Sequence, residues 1–476
     1  MNRRHFLNLT GLGAAVGAVG GLDSAAAESP SPTPSRALRP TEPLRITDLR
    51  VARMPTGLTT HIVRIDTNHG ISGYGEIRDG ASPTYALMLK RRILGENPCN
   101  VDRLFRKLKQ FGGHGRQAGG VVAIEMACWD LAGKHWGVPC WQMLGGRFRD
   151  RVRMYADTPT HPDPEEMGRR LRARREQGFT FLKMDIGIDL ARGAEDGLTY
   201  PAPDPSDGSP RSRRSITPPM VPHPFTGIRI TDQGLERIAD YVRRVREAVG
   251  WDVPLAADHF GHMGVEDAIK LARTLDPFNL AWLEDMIPWF YTDQYVRLRN
   301  GCSTPILTGE DIYLKEGFLP LFEQKAIAIC HPDLMTSGGL LETKKIGDLA
   351  MEHGIAMAMH MAGSPVGLMG SVHCAAATEN FLALEHHDVD TTHYDDLIEG
   401  VPKPIVQGGY VPVPDGPGLG ISLNEEAIRE HLAHEGLDPA EAFFPPSDRW
   451  NNERSWDRHW SRLDRKASRT RAARLT

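Results

Sequence analysis

The sequence predicts an α/β fold in two parts, a small N-terminal α+β unit followed by a large barrel of alternating strands and helices. Two observations predict it. From Arg151 onward, short apolar runs of strand length alternate with amphipathic stretches of helical period. Ahead of them, Leu44 to Glu76 reads as short β-rich runs broken by turns, and Pro83 to Trp136 reads as helical. A length of 476 residues exceeds what one ordinary core carries and suits a barrel plus a second domain.

The N-terminus comes first in chain order. Arg3-Arg4 precedes a Gly/Ala-rich apolar run, Gly11 to Leu22, and Ala25-Ala26-Ala27 offers a small-residue cleavage site. The run falls well short of the ~20 apolar residues of a membrane span, so residues 1–27 are expected to be a twin-arginine export signal and the mature chain periplasmic. Residues 28–43, rich in Pro and Ser, form a flexible lead-in. The α+β unit then covers 44–150, with "LRITDLRVARM", "THIVRIDTNHG" and "ISGYGEI" as an antiparallel meander.

The barrel covers 151–400. Its eight strands are "VRMYAD", "FTFLKMD", "VPLAAD", "LAWLED", "PILTGE", "AIAICHPD", "IAMAMH" and "FLALEHH". Parallel strands buried on both faces should look like this, and functional groups then belong at their C-terminal ends. The interval 187–230 is too long and too rich in Pro, Ser and Gly for a βα connection, and is expected to be an insertion over the barrel mouth. Residues 401–476 form a C-terminal segment packing back on the first unit, with a solvated or subunit-packing tail from Ser447. The six scattered cysteines lack disulfide or zinc spacing and are expected as small buried apolar residues. A net charge of −5 gives no electrostatic reason for a nucleic-acid partner.

The chemistry lies in the last polar residue of successive strands. Asp258, Glu284 and Glu310 follow one another at 26-residue intervals, one βα unit each. Three carboxylates at the same end of three adjacent parallel strands converge, and like charges a few Å apart raise one another's pKa. A hard divalent cation removes that cost, and all-oxygen ligation suits Mg²⁺. Asp333, His360 and Glu385 continue the series at intervals of 23, 27 and 25 residues. Asp333, one strand before His360, is placed to orient the ring and raise its basicity, which points to His360 as a general base. Glu385, if kept neutral by burial, would donate a hydrogen bond to a substrate oxygen. Lys183 and Asp185, two apart in "FLKMD", share a strand face. Lys183 beside the metal would polarise a carboxylate or serve as a base of lowered pKa.

These residues carry a family resemblance. "AIEMACWDLAGKHWGVPCWQMLGG", K-x-D, "LAAD", "WLED", "LTGED", "HPDLMTSGG", "AMH" and "LEHH" together resemble the mandelate racemase/muconate lactonizing enzyme branch of the enolase superfamily, from about Leu44 to Gly420. The resemblance implies a modified TIM barrel, (β/α)₇β, closed by an N-terminal α+β capping domain. It implies Asp258, Glu284 and Glu310 as Mg²⁺ ligands, Asp333 with His360 as a catalytic dyad, and Glu385 as the acid that steadies an enediolate. Such enzymes remove the proton next to a substrate carboxylate, with the metal and a cationic side chain stabilising the dianion.

One departure bears on the outcome. The racemases of this branch carry K-x-K at the second barrel strand, the second Lys serving as base on the opposite substrate face. Here that position is Asp185. A single base, His360, is enough to take the α-proton and assist departure of a β-hydroxyl. Dehydration of a sugar acid to a 2-keto-3-deoxy acid is therefore expected, with His259 or His262 as candidates for the leaving-group acid. Two alternatives are a racemase, epimerase or cycloisomerase working through the same enediolate, and a non-catalytic sugar-acid binding protein. The expected partner is a small-molecule carboxylate, with the chain self-associating as a homo-oligomer. Substrate choice is expected to come from loops at Arg53 to His61 and Gly112 to Gly120, and from the insertion.

Overall fold

Strand-forming residues with one buried face open the chain. β1 (Ile46–Pro55), β2 (Thr59–Thr67) and β3 (Ser72–Ile77) form an antiparallel meander, with Pro55 opposite Thr59 and His61 opposite Ile77. We describe the protein from a computed structural model covering residues 42–452, apart from 114, 188–189, 192–196, 200–228 and 259–262. The expected signal, most of the lead-in, most of the insertion, and His259 and His262 lie outside the described residues.

Helices α1 (Thr84–Ile93), α2 (Val101–Leu108) and α3 (Gly119–Trp136) follow the meander. The α3 helix is buried nearly all round because it lies between the sheet and the barrel. Its seat on β3 depends on two glycines. A Cβ on Gly73 would stand 2.3 Å from the Ala127 carbonyl, and one on Gly75 would stand 2.0 Å from that of Ala123.

The barrel strands are β4 (Arg151–Ala156), β5 (Leu182–Asp185), β6 (Leu255–Asp258), β7 (Leu283–Glu284), β8 (Ile306–Thr308), β9 (Ile329–Cys330), β10 (Ala356–Met359) and β11 (Phe381–His386). They pair in parallel in chain order, and β11 closes on β4 with Glu385 beside Tyr155. All eight apolar runs singled out in the sequence carry these strands. Seven helices follow the first seven strands: α4 (Pro164–Glu176), α5 (Asp232–Val249), α6 (Val265–Leu275), α7 (Thr292–Gly301), α8 (Leu314–Glu323), α9 (Leu340–Glu352) and α10 (Pro365–Ala377). The insertion leaves through Leu198–Thr199 and returns through Arg229–Ile230, which pair antiparallel.

Beyond the barrel, β12 (Tyr410–Pro412) adds antiparallel to the outer edge of β4. Phe443 then bridges to Ala52 of β1, and Glu435 pairs with Arg53 at 3.2 Å. Four cysteines are buried and two half-buried, all unpaired, as expected of small apolar residues. Among the described residues no helix is long and apolar enough to cross a membrane.

Candidate active site at the C-terminal mouth of the barrel

Strand pleating builds the site in layers. Tyr155, Phe181, Ala256, Trp282, Leu307, Ile329, Ala358 and Ala383 form one buried apolar cluster, with the Trp282 ring 4.8 Å from Phe181 and 5.4 Å from Tyr155. Inward positions recur every two residues along a strand. Two residues beyond that plug stand Asp157, Lys183, Asp258, Glu284, His331, His360 and Glu385, all buried. On β8 the corresponding position is Gly309, whose Cβ would meet the Phe318 ring at 2.6 Å, and Glu310 follows it. Stepping by two from the plug also finds Asp157 and His331, neither of which was among the residues expected from the sequence.

Lys183 sits at the centre. Its Nζ lies 2.6 Å from Glu385 Oε1, 2.9 Å from Asp258 Oδ2 and 3.2 Å from Glu284 Oε1. Burial pulls its pKa down, but these carboxylates together with Asp157 outweigh burial and hold it well above the usual lysine value. Of the two roles expected for Lys183, these contacts favour the fixed cation. Glu284 also faces His331 Nε2 at 3.0 Å, and its Oε2 accepts from Trp282 Nε1 at 2.9 Å. Glu310 accepts from Arg116 at 2.9 Å and from Arg78 at 3.4 Å, and its Oε2 lies 2.9 Å from His360 Nε2.

The Asp333–His360 pair forms as its register predicted, Nδ1 to Oδ2 at 2.6 Å. A third member joins it. Arg78, just past the end of β3 and fully buried, donates to the same Oδ2 at 2.7 Å. Burial raises the Asp333 pKa, yet the Arg78 guanidinium and the His360 ring bring it below the ordinary carboxylate value. Fixing Nδ1 on Asp333 leaves Nε2 as the working edge of His360.

Across the barrel seam a second acid–histidine pair appears. His387 Nδ1 lies 3.2 Å from Asp157 Oδ2 and its Nε2 lies 3.2 Å from Glu385 Oε1. Glu385 thus stands among Lys183, His360 and His387. Burial alone would raise its pKa; the Lys183 ammonium, with the neighbouring histidine rings, brings it well below the ordinary value. Against the expectation that burial keeps Glu385 neutral, the Lys183 ammonium at 2.6 Å favours the carboxylate form.

Asp185 is half-buried at the end of β5, level with Asp258 on β6. Its backbone carbonyl accepts from the Thr160 hydroxyl. The two loops expected to select substrate do approach the mouth. Arg116 reaches Asp79 and Glu310. At Pro55 the carbonyl accepts from His393 Nε2 at 2.7 Å, in the segment after β11.

The donor set fits a hard divalent cation. Glu284, Glu310 and His331 present ligand atoms within 4.8 Å of one another, and Asp258 shares the Lys183 ammonium with Glu284. Negative charge is in surplus around them. Asp285, half-buried and accepting from the Thr308 hydroxyl at 2.5 Å, has its pKa driven far up by desolvation and by Glu310, Glu284 and Asp258. Carboxylate oxygens are what Mg²⁺ binds. The trio His360, Glu385 and His387 is equally compact. That trio offers one carboxylate and two imidazoles, a donor set less suited to a hard cation.

Comparison with known proteins accords with this geometry. Residues 41–145 match the mandelate racemase/muconate lactonizing enzyme N-terminal domain, and residues 166–427 match the enolase C-terminal domain-like family. The D-xylonate dehydratase of Haloferax volcanii is 34% identical over 397 residues, covering 81% of this chain and 89% of its own. The D-galactarolactone cycloisomerase of Agrobacterium fabrum is 27% identical, covering 78% and 90%. A solved mandelate racemase/muconate lactonizing enzyme-like protein from Rubrobacter xylanophilus superposes with a TM-score of 0.71 at 32% identity, covering 82% of this chain and 98% of that one. With both domain models matched in order across the capping unit and the barrel, the chain belongs to the mandelate racemase/muconate lactonizing enzyme branch of the enolase superfamily.

Proposed function

We propose that this protein is a Mg²⁺-dependent sugar-acid dehydratase. The observation that carries the proposal is the single oriented base: His360, fixed by Asp333 and Arg78, with its Nε2 edge turned to the carboxylate cluster. Asp258, Glu284 and Glu310 would hold the metal, which as a Lewis acid supplies charge stabilisation for a substrate carboxylate that becomes dianionic. Lys183 adds a fixed positive charge to the same region. His360 Nε2 takes the proton from the carbon next to the carboxylate, and the resulting enediolate expels the β-hydroxyl as water.

Dehydration is favoured over racemisation because Asp185 stands where a second basic side chain would be needed, and because a relative of this chain is named a D-xylonate dehydratase. Cycloisomerisation is the second reading, supported by the D-galactarolactone cycloisomerase among the relatives. The twin-arginine motif at Arg3-Arg4 supports export as part of the same proposal, and a homo-oligomer is proposed with it.

A panel of aldonic and uronic acids incubated with enzyme and Mg²⁺ tests the reading. A 2-keto-3-deoxy acid is the expected product. A lactone ring opened or closed without loss of water would favour the cycloisomerase, and tight binding without turnover would favour a binding protein.

A further inference from the structure

β-Elimination needs two proton-handling groups, one at the carbon beside the carboxylate and one at the departing oxygen one bond further on. His360 accounts for the first. We propose that His387, held by Asp157, is the acid that protonates the departing β-hydroxyl; this rests on the dehydratase reading of the same mouth.

The geometry carries it. The His360 and His387 rings lie 5.5 Å apart, centroid to centroid, with Glu385 between them: Oε1 is 3.2 Å from His387 Nε2, and Oε2 is 3.7 Å from His360 Nε2. That separation suits two groups addressing substituents on neighbouring carbons. Both ring nitrogens of His387 lie 3.2 Å from a carboxylate oxygen, Nδ1 from Asp157 and Nε2 from Glu385, and these neighbours favour the protonated ring. Burial lowers the ring's pKa, but Glu385 and Asp157 outweigh it and raise the pKa above the ordinary value, which suits a proton donor. His387 is also the more open of the two, its side chain 25% exposed against 4% for His360.

The step balances without a co-reactant. His360 Nε2 takes the α-proton, its bonding pair passing into the enediolate and from there forming the Cα–Cβ double bond. The Cβ–O bond breaks with its electrons on oxygen, which takes the Nε2 proton of His387 and leaves as water. His360 exchanges its proton with solvent and then protonates Cβ as the enol becomes the ketone, and the enol O–H proton restores His387. Asp157 is a positioning residue, holding Nδ1 so that Nε2 points into the mouth.

The bland alternative is a salt link across the seam between β4 and β11. A substrate whose leaving group needs no proton separates the two. His387→Asn and His387→Gln, in the full chain with Mg²⁺, would be assayed on the aldonate the wild type turns over fastest and on its 3-deoxy-3-fluoro analogue, with unfolding temperature as a check on fold. Turnover of the aldonate should fall about 10²–10³-fold, in the range of a lost general acid. Fluoride release should stay within a few fold of wild type. Asp157→Asn should give the same split in milder form. Equal losses on both substrates would make the pair a structural seam, and an unchanged rate on the aldonate would remove His387 from the chemistry; either overturns the proposal. If the wild type forms no 2-keto acid from any aldonate, the dehydratase reading fails first and this role falls with it.

Discussion

Glu284 is the carboxylate that both Lys183 and His331 face, at 3.2 and 3.0 Å, and it has Trp282 at its back. Glu284→Gln is expected to abolish Mg²⁺ binding in calorimetry; undiminished affinity would remove it from the ligand set. His360→Asn should cost at least ~10³-fold in turnover, since a positioned base supplies about 10²–10⁴. Arg78 is fully buried and acts through Asp333 and His360. Arg78→Met should therefore lower kcat about 10–100-fold, the usual effect of losing an outer-shell partner, while KM moves little. A change confined to KM would assign Arg78 to substrate binding instead. At this scale legibility is uneven. Asp258, Glu284, Glu310, Asp333, His360 and Glu385 are spaced by the repeating βα unit, and that period is written in the chain. Arg78 is 255 residues from its partner Asp333, in another domain, so no local period points to it. His387 stood in "LEHH" beside a chosen glutamate, but only the meeting of the first and last strands brings Asp157 to it.

Between elements, the capping unit is held to the barrel by two buried glutamates that serve as caps for barrel helices. Glu76 on β3 accepts the Ser364 N–H and hydroxyl and the Gly367 N–H at the start of α10. Glu125 on α3 accepts the N–H groups of Leu340 and Leu341 at the start of α9, and Trp129 Nε1. A carboxyl oxygen at a helix N-terminus satisfies donors that have no partner within the helix. The barrel leaves room for both carboxylates by placing glycine opposite them: a Cβ on Gly339 would come 1.9 Å from Glu125, and one on Gly363 2.5 Å from Glu76. Glu125→Ala strands these buried donors and should destabilise the protein by about 1–3 kcal/mol, read as a lower unfolding temperature. An unchanged temperature would contradict the capping role. Strand and helix identities were legible because apolar period and turn residues are local signals. The caps were not, since Glu76 and Glu125 look like ordinary polar residues until the two domains meet.

For the molecule as a whole, acid stability follows from histidines kept neutral by burial. Burial pushes His373 down to about 4, and its Nδ1 accepts the Trp141 N–H at 3.3 Å. It also brings His61 to about 4 and His386 to about 3, with the Arg53 charge adding at His61 and those of His387 and Arg174 at His386. Each folded value lies below the ordinary 6.5, so the stability these groups contribute is present above pH 6.5 and is lost as pH falls toward 4. His373 alone accounts for a loss on the order of 3 kcal/mol by pH 4. His373→Gln, which can still accept from Trp141, should flatten the fall of unfolding temperature between pH 6.5 and 4; an identical slope would contradict this. The central claim concerns the fate of one proton at one carbon. The most direct measurement is turnover of an aldonate in deuterated water with Mg²⁺, followed by NMR of product and recovered substrate. The account predicts a 2-keto-3-deoxy acid carrying deuterium at C3. Recovered acid with its carbon skeleton and hydroxyls intact, inverted and labelled at C2, with no keto acid formed, would contradict it.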